Sequence, residues 1–147
     1  MPPEARSKAL TEKVRMGELF TVDCPSRGVL KHVSSLWGVL CLISLREGTL
    51  RFGELRRKAS GVSEKMLAQT LKRLEEDGFV LRFSHPVVPP YVEYSLTPLG
   101  REVSEQVATL ADWIELNISS VMDSRRERHR LDAPKPSDLV RLNIGLA

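Results

Sequence analysis

The sequence lacks the features that mark several large classes of protein. Only two of its 147 residues are cysteines, Cys24 and Cys41, and neither has a histidine or cysteine at metal-ligand spacing. A disulfide framework and a cysteine-based metal site are therefore excluded. The longest apolar run, "LWGVLCLISL" at 36–45, is well short of the roughly 20 residues that span a membrane. Charges at the start have no apolar segment behind them, so we expect no signal peptide, no membrane partner and a cytoplasmic location.

A catalytic constellation is also missing. The three histidines, His32, His85 and His129, are scattered along the chain, and there is no glycine-rich phosphate-binding loop. Enzymes need a convergent nucleophile, base or metal, so we expect no enzyme activity, no cofactor and no metal. With 41% hydrophobic and 28% charged residues, the composition is that of a globular protein. The length suits one domain with an appended helix or tail.

Positive charge is concentrated in one segment. The net charge of the whole chain is only +3, yet residues 46–73 carry eight Lys or Arg against three Glu, a local charge of +5. A positive segment is typical of a phosphate-binding surface, because cations placed near phosphates release counterions. Basic clusters on ordinary solvated helices are also common.

The stretch "GVSEKMLAQTLKRLEEDGFV" at 61–80 predicts an amphipathic helix. Its leucines recur at spacings of four and three, which places them on one buried stripe. Ser63 is a good N-cap for this helix. The stripe consists of Leu67, Leu71 and Leu74, and the opposite, polar face carries Lys65, Gln69, Lys72 and Arg73.

The elements before this helix predict a helix-turn-helix. "PSRGVLKHVSSL" places Val29, Leu30, Val33 and Leu36 at helical spacing, and "LWGVLCLISLREG" predicts a central buried helix that ends at Gly48. "RFGELRRKASG" predicts a short helix followed by a break at Gly61. A short helix, a glycine-containing turn and a second helix with a polar outer face describe a helix-turn-helix.

The elements after the helix predict a wing. "FVLRFS" and "YVEYSL" alternate as strands do, and the loop "HPVVPP" between them is stiffened by prolines. Val92, Tyr94 and Leu96 are expected on one face of the second strand. Thr97 then caps a long helix that begins at Pro98. We therefore predict an α+β, mostly helical fold: a winged helix-turn-helix with flanking dimerisation helices.

At this point the sequence resembles a known family. "CPSRGVL", "SEKMLAQTLKRLEEDG" and "VPPYVEYSLTPLG", in this order, are similar to the HxlR-type winged helix-turn-helix regulators of bacterial transcription. The resemblance covers about residues 24–114 and implies a homodimer whose second helix enters the major groove of double-stranded DNA. Three features depart from the family pattern, and one of them is the chain beyond Ile114, which the pattern does not cover. Ser34, Ser35 and Leu36 replace a usual Gly-Gly-Lys, and Tyr91 replaces a usual basic residue, which weakens the expectation of a phosphate contact there.

Candidate DNA contacts follow from the polar face and the resemblance. We expect Gln69 and Arg73 to read base edges, because Gln pairs with adenine and Arg with guanine in bidentate fashion. Lys65 and Lys72 are expected on phosphates. The full candidate set is Ser63, Lys65, Gln69, Thr70, Lys72 and Arg73 on the second helix, Arg56 on the first helix, and Arg82, His85 and Tyr91 in the wing.

The C-terminal helix carries a short heptad pattern. Val103, Val107, Leu110, Ile114 and Val121 share a seam with the polar Asn117, and such a seam packs either on its own domain or on a second copy. The resemblance favours a homodimer, with Val107, Leu110, Ile114, Asn117 and the segment before Cys24 as the interface. The expected divisions are an N-terminal arm at 1–23, partly helical, a DNA-binding domain at 24–114, the end of the dimerisation helix at 115–130 and a flexible tail at 131–147.

The two cysteines differ in their surroundings. Cys24 precedes Pro25 at an expected helix start, where a thiolate is favoured, so it is either a redox- or electrophile-sensing thiol or an ordinary helix-start residue. Cys41 should be a buried bystander. The predicted function is a sequence-specific transcriptional regulator that binds inverted-repeat operators as a homodimer. The alternative is a winged-helix protein-interaction module without sequence-specific DNA binding. The sequence identifies no small-molecule effector.

Overall fold

The computed structural model describes residues 8–17 and 24–138. Within these ranges the order of elements is that of a winged helix, as predicted. The helices are α1 (Leu10–Arg15), α2 (Pro25–Ser34), α3 (Leu36–Ser44), α4 (Phe52–Lys58), α5 (Glu64–Glu76) and α6 (Pro98–Asp132); the strands are β1 (Leu50–Arg51), β2 (Val80–His85) and β3 (Tyr91–Leu96). A short 3-10 turn, Leu45–Glu47, separates α3 from β1.

The boundary between α2 and α3 differs from the predicted one. The expected apolar stripe ran through Leu36, but the chain breaks at Ser35, whose Oγ accepts a hydrogen bond from the Gly38 N–H at 3.2 Å and caps α3. Leu36 therefore starts a new helix and is 63% exposed. A Cβ on Gly38 would lie only 2.0 Å from the carbonyl oxygen of His32, so α3 begins in close contact with α2.

The core lies between α3, α4, α5 and the inner face of the sheet. The predicted stripe of α5 is confirmed, because all three of its leucines are buried. Burying one such side chain stabilises the fold by about 1.5–3 kcal/mol. The most deeply buried apolar residues are Cys41, Leu42, Leu45, Leu55, Ala59, Leu67, Leu71 and Leu74.

The sheet has three antiparallel strands in the order β1-β3-β2. The β2–β3 hairpin is the predicted wing, and its register runs from Val80 opposite Leu96 to His85 opposite Tyr91. Tyr94 and Leu96 are buried on the inner face, as expected. The sequence did not predict β1, since two residues are too few to show an alternating pattern.

Helix α6 begins in close contact with Phe79, which lies between α5 and β2. Pro98 is its first residue, and Thr97 Oγ1 accepts a hydrogen bond from the Gly100 N–H at 3.0 Å, as the predicted N-cap requires. A Cβ on Gly100 would lie 1.9 Å from the carbonyl oxygen of Phe79. Glycine is therefore needed there, since any side chain would force the helix away from Phe79.

The chain divides into two compact units after Ala108, and each is described by itself. The first contains the winged helix, and the second contains the later part of α6. The tail predicted from 131 starts too early, because Leu131 and Asp132 are still helical. Exposed pairs at helical spacing accompany this charged stretch: Arg126 with Asp123, Arg128 with Asp132 and Arg130 with Glu127. Each contributes about 0.3–0.5 kcal/mol at most.

The predicted N-terminal arm and C-terminal tail are described only in part. Residues 10–15 of the arm form α1, in agreement with a partly helical arm. Residues 1–7 and 18–23 of the arm and 139–147 of the tail lie outside the described ranges.

Candidate DNA-binding surface

The second helix of the motif, α5, begins and ends at residues suited to those positions. Gly61 adopts a φ of +94° in the turn after α4, a conformation that residues with a Cβ rarely adopt. Ser63 Oγ then accepts a hydrogen bond from the Met66 N–H at 3.1 Å. Gly78, with a φ of +83°, follows the C-terminal end. The sequence thus fixes both the turn and the length of α5.

The outer face of α5 is formed by Lys65, Gln69, Lys72 and Arg73, and all four side chains are exposed. Among the residues that the structure describes, no carboxylate lies within ion-pair distance of the three cations. The positive charge of this face is therefore uncompensated within the protein. A polyanion gains more from such a face than from one already paired with carboxylates.

The structure removes Thr70 from the candidate set of DNA contacts. Its side chain is buried, with 6% exposure, because residue 70 lies on the inner stripe between Leu67 and Leu74. Its hydroxyl donates to the carbonyl oxygen of Met66 at 2.8 Å. The prediction that Thr70 contacts DNA is not compatible with this arrangement, since the hydroxyl is neither accessible nor free.

Two further candidates already have partners inside the protein. Ser63 uses its hydroxyl as the cap of α5. Arg56 donates through Nη1 to Glu64 Oε1 at 2.8 Å, across the turn that joins α4 to α5. Both side chains of this pair are well exposed, so the pair contributes only about 0–1 kcal/mol. A DNA phosphate could replace Glu64 as the partner of Arg56 at small cost.

The wing candidates behave differently from one another. Arg82 is exposed on β2. His85 and Tyr91 lie opposite each other, with their rings stacked at a centroid distance of 4.4 Å. His85 Nε2 also lies 3.0 Å from Glu93 Oε2, although the angle is poor for a hydrogen bond. His85 and Tyr91 are thus half-buried against their neighbours instead of projecting from the strands.

The two thiols differ as predicted. Cys24 is half-exposed at the N-cap of α2, and a hydrogen bond from the side chain of Ser26, helped by the backbone of Ser26 and the charge of Lys13, lowers the pKa of its thiol. Cys41 is fully buried in α3, and burial raises the pKa of its thiol to about 12. The thiolate is the reactive form, so only Cys24 has the chemistry of a reactive cysteine.

Helix α6 corrects the predicted seam at one position. Val107 is 9% exposed and belongs to the core of its own domain, so it is not available to a second copy. Leu110 and Ile114 are 58% and 45% exposed. Asn117 donates through Nδ2 to the carbonyl oxygen of Trp113 at 2.7 Å.

Sequence reasoning missed several exposed apolar residues of α6. Among them are Trp113, Leu116 and Ile118. The sequence does contain a signal for these residues. They are large apolar side chains that fall outside the heptad seam of a predicted helix, where polar residues are expected. The other part of the predicted interface, the segment before Cys24, includes residues 18–23, which lie outside the described ranges.

Neither a metal centre nor a single membrane-spanning helix is found in the described part of the chain. No group of three or more His, Cys, Asp or Glu residues within 8–17 and 24–138 could hold a metal ion. No one helix of these ranges is long and apolar enough to cross a membrane; Pro25–Ser34 and Leu36–Glu47 reach the required length and composition only as a pair bent by 70°.

Comparison with known proteins identifies the family. The sequence model of the HxlR-like helix-turn-helix family matches residues 32–122, which is more than half of the chain. The chain belongs to the HxlR-like helix-turn-helix family. The resemblance noted in the sequence is thereby confirmed. In this HxlR-like protein the match covers α3, α4, α5, the sheet and much of α6, while Cys24 lies before it.

The HxlR-like protein has similar relatives in sequence and structure. The uncharacterized HTH-type transcriptional regulator YtfH of Escherichia coli (strain K12) is 64% identical over 120 residues, which cover 82% of this chain and 95% of the relative. A solved structure of ytfH from Salmonella typhimurium is 66% identical with a TM-score of 0.71, covering 74% of this chain and 97% of that one.

A redox regulator is among the structural relatives. The redox regulator HypR in its oxidized form is 36% identical with a TM-score of 0.59, covering 64% of this chain and 97% of its own. Together with the family match, these relatives identify the HxlR-like protein as a transcriptional regulator of the helix-turn-helix type.

Proposed function

We propose that this protein binds inverted-repeat DNA operators as a homodimer and reads them with α5. The observation that carries the proposal is the outer face of α5, where three exposed cations have no carboxylate partner among the described residues. In the major groove, Gln69 would pair with adenine and Arg73 with guanine, while Lys65 and Lys72 would bind phosphates. A bacterial regulator of this kind works where the chromosome lies, in the cytoplasm.

The homodimer is supported by the later part of α6. Leu110, Trp113 and Ile114 expose apolar surface there, and exposed apolar patches of this kind mark interaction sites. Two-fold symmetry in the protein requires two-fold symmetry in the operator. The half-site centres would then lie about one helical turn apart, ~34–36 Å.

The alternative, a protein-interaction module, has one observation in its favour. Leu81 and Phe83 on β2 are 56% and 55% exposed, and DNA offers little to such side chains. The two functions differ in how binding responds to salt, because only binding to phosphates releases counterions.

Selection of genomic fragments followed by a salt titration tests the proposal. Purified protein is used to select fragments from the genome of its source, and the affinity for a selected duplex is then measured at increasing KCl. We expect inverted repeats, with an affinity that falls steeply as salt rises. Absent or salt-independent duplex binding would contradict the proposal and favour the protein-interaction module.

We further propose that Cys24 makes the regulator responsive to oxidants or electrophiles. The support is a half-exposed thiol with a lowered pKa at the start of α2. The competing interpretation is a helix-start residue without a sensing role. Because the folded-state pKa is lowered, the reactive thiolate persists to lower pH than in an ordinary cysteine. The alkylation rate of Cys24 should therefore reach its plateau at a lower pH than that of a cysteine in an unfolded peptide.

Operator affinity before and after treatment with a quinone or hypochlorite tests this role. We expect the treated parent to change affinity and the Cys24→Ser protein to remain unchanged. The role is contradicted by a parent whose affinity does not move, or by a Cys24→Ser protein that responds as the parent does. Cys41→Ser serves as a second control, since the buried thiol should not react.

A further inference from the structure

The outer face of the sheet carries a set of side chains that the candidate DNA contacts do not explain. The registers place Arg51 of β1 opposite Glu93 of β3, with Phe83 and His85 of β2 opposite Glu93 and Tyr91. Residues directly opposite each other in a sheet share a face. All five therefore lie on the face turned away from buried Tyr94 and Leu96.

Four of these side chains form a continuous ladder across the three strands. The guanidinium carbon of Arg51 lies 3.8 Å from the centroid of the Tyr91 ring. From the neighbouring strand β2, the ring of His85 stacks on Tyr91 at 4.4 Å with an interplanar angle of 19°. Phe83 then meets His85 edge to face at 4.6 Å. Tyr91 is thus held by its neighbours, and it in turn holds the guanidinium of Arg51.

The acidic residues nearby leave the charge of Arg51 uncompensated. Glu93 lies opposite Arg51 in the register, yet its carboxylate lies beside His85, at 3.0 Å. Glu54 accepts a hydrogen bond from the backbone N–H of Arg51 at 3.1 Å, which starts α4. Within residues 8–17 and 24–138, no carboxylate comes within ion-pair distance of the Arg51 guanidinium. The side chain is exposed.

We propose that Arg51 binds a phosphate of the DNA backbone and that Tyr91 is its positioning residue. A guanidinium that stacks through its flat face keeps its N–H edges free, and those edges match a phosphate in bidentate geometry. Stacking also limits the side-chain freedom that would otherwise be lost on binding. Arg51 directly precedes α4, between the wing and the first helix of the motif, and backbone phosphates border the groove that α5 would enter. This site rests on the proposed DNA binding.

The assignment also gives Tyr91 a role that does not need its own contact with DNA. A tyrosine carries no positive charge at neutral pH, but it presents the charge of Arg51 from the adjacent strand. The wing therefore gains a cation from β1 in addition to Arg82 of its own hairpin.

Salt titrations with a mixed-sequence DNA duplex and a matched set of variants test the site. Arg51→Gln should weaken binding roughly five- to twentyfold at low salt and lower the salt slope by about one unit, because one charge-assisted phosphate contact is lost. Arg101→Gln, which removes an exposed charge from the start of α6, is the control and should change the slope less. Circular dichroism checks that each variant is folded.

Substitutions of Tyr91 separate positioning from structure. Tyr91→Phe keeps the ring and should bind as the parent does, whereas Tyr91→Leu should lose part of the affinity. In the Arg51→Gln background, Tyr91→Leu should have no further effect, because the two residues act through one contact.

The outcomes distinguish this site from the proposed function. A parent that binds the duplex with a steep salt slope, together with an Arg51→Gln protein of unchanged slope, overturns the site and leaves the function intact. Additive losses in the double variant overturn the role of Tyr91. A parent without salt-dependent duplex binding overturns both the function and the site.

Discussion

Helices α5 and α6 both expose a face to solvent, and the two faces are chemically opposite. The outer face of α5 is polar and cationic, while its apolar stripe is buried inside its own domain. The later part of α6 exposes large apolar side chains, among them Trp113 at 58% and Leu116 at 83%. Helix α5 therefore buries its apolar side chains within its own domain, whereas the later part of α6 leaves large apolar side chains exposed in the single chain.

Under the proposed function, the two faces would bind two different kinds of partner. A face of unpaired cations gains free energy from a polyanion, and the gain falls as salt rises. An apolar face gains free energy from another apolar face, and that gain depends little on salt. Salt and a charged substitution on α6 should thus act on different steps, DNA binding and dimer formation.

The largest expected effect comes from breaking the apolar face of α6. Ile114→Asp would bury an unpaired carboxylate in the proposed interface, at a cost of about 3–5 kcal/mol, or roughly a hundredfold or more in the dimer dissociation constant. Analytical ultracentrifugation should show monomers at micromolar concentration, with poor operator affinity. Ser119→Asp places the same charge elsewhere on the helix and should leave the dimer intact. A parent that sediments as a monomer contradicts the interface directly.

A matched pair of leucines sharpens the comparison of buried and exposed apolar residues. In the monomeric Ile114→Asp background, Leu71→Ala should lower the free energy of unfolding by about 2–5 kcal/mol, because it leaves a cavity in the core. Leu110→Ala, which removes the same atoms from an exposed position, should change it by less than about 0.5 kcal/mol. Urea denaturation measures both. Equal losses would mean that α6 is as buried in the monomer as α5.

Two substitutions on the outer face of α5 should separate reading from positioning. Gln69→Ala should relax the preference at one base position of each half-site by about 1–3 kcal/mol. Lys72→Ala should weaken all sequences alike and lower the salt slope by about one unit. Competition binding with single-base variants of the operator distinguishes the two patterns. If both proteins bound the operator like the parent, α5 would not be the reading helix.

The smallest expected effect is at Thr70, which lies on the buried side of α5. Thr70→Val removes a buried hydroxyl whose only described hydrogen bond goes to Met66, so stability should change by less than about 1.5 kcal/mol. Operator affinity and base preference should be those of the parent. A loss of affinity comparable to that of Gln69→Ala would show that Thr70 does reach DNA.

The features predicted well from the sequence are those that a local pattern determines. The spacing of Leu67, Leu71 and Leu74 predicts the buried stripe of α5, and the position of Ser63 predicts its N-cap. Prolines and alternation predict the hairpin. Each of these signals depends on neighbours within a few residues, so the sequence carries it directly.

The features that were missed depend on tertiary contacts. A threonine at position 70 is compatible with either side of a helix, and only the packing of α5 decides that it is buried. Val107 follows the heptad spacing, but its side chain packs in the core of its own domain. The contact between Arg51 and Tyr91 joins strands from opposite sides of the helix-turn-helix, 40 residues apart, so no local pattern indicates it.

The contact between His32 and Asp77 connects α2 to the C-terminal end of α5. Cys24 stands at one end of α2, and near the other end His32 Nδ1 lies 2.6 Å from Asp77 Oδ2, directly after the last turn of α5. Ten helical residues form a stiff rod of about 15 Å. Under the proposed sensing role of Cys24, α2 would connect an adduct on the thiol to the C-terminal end of α5.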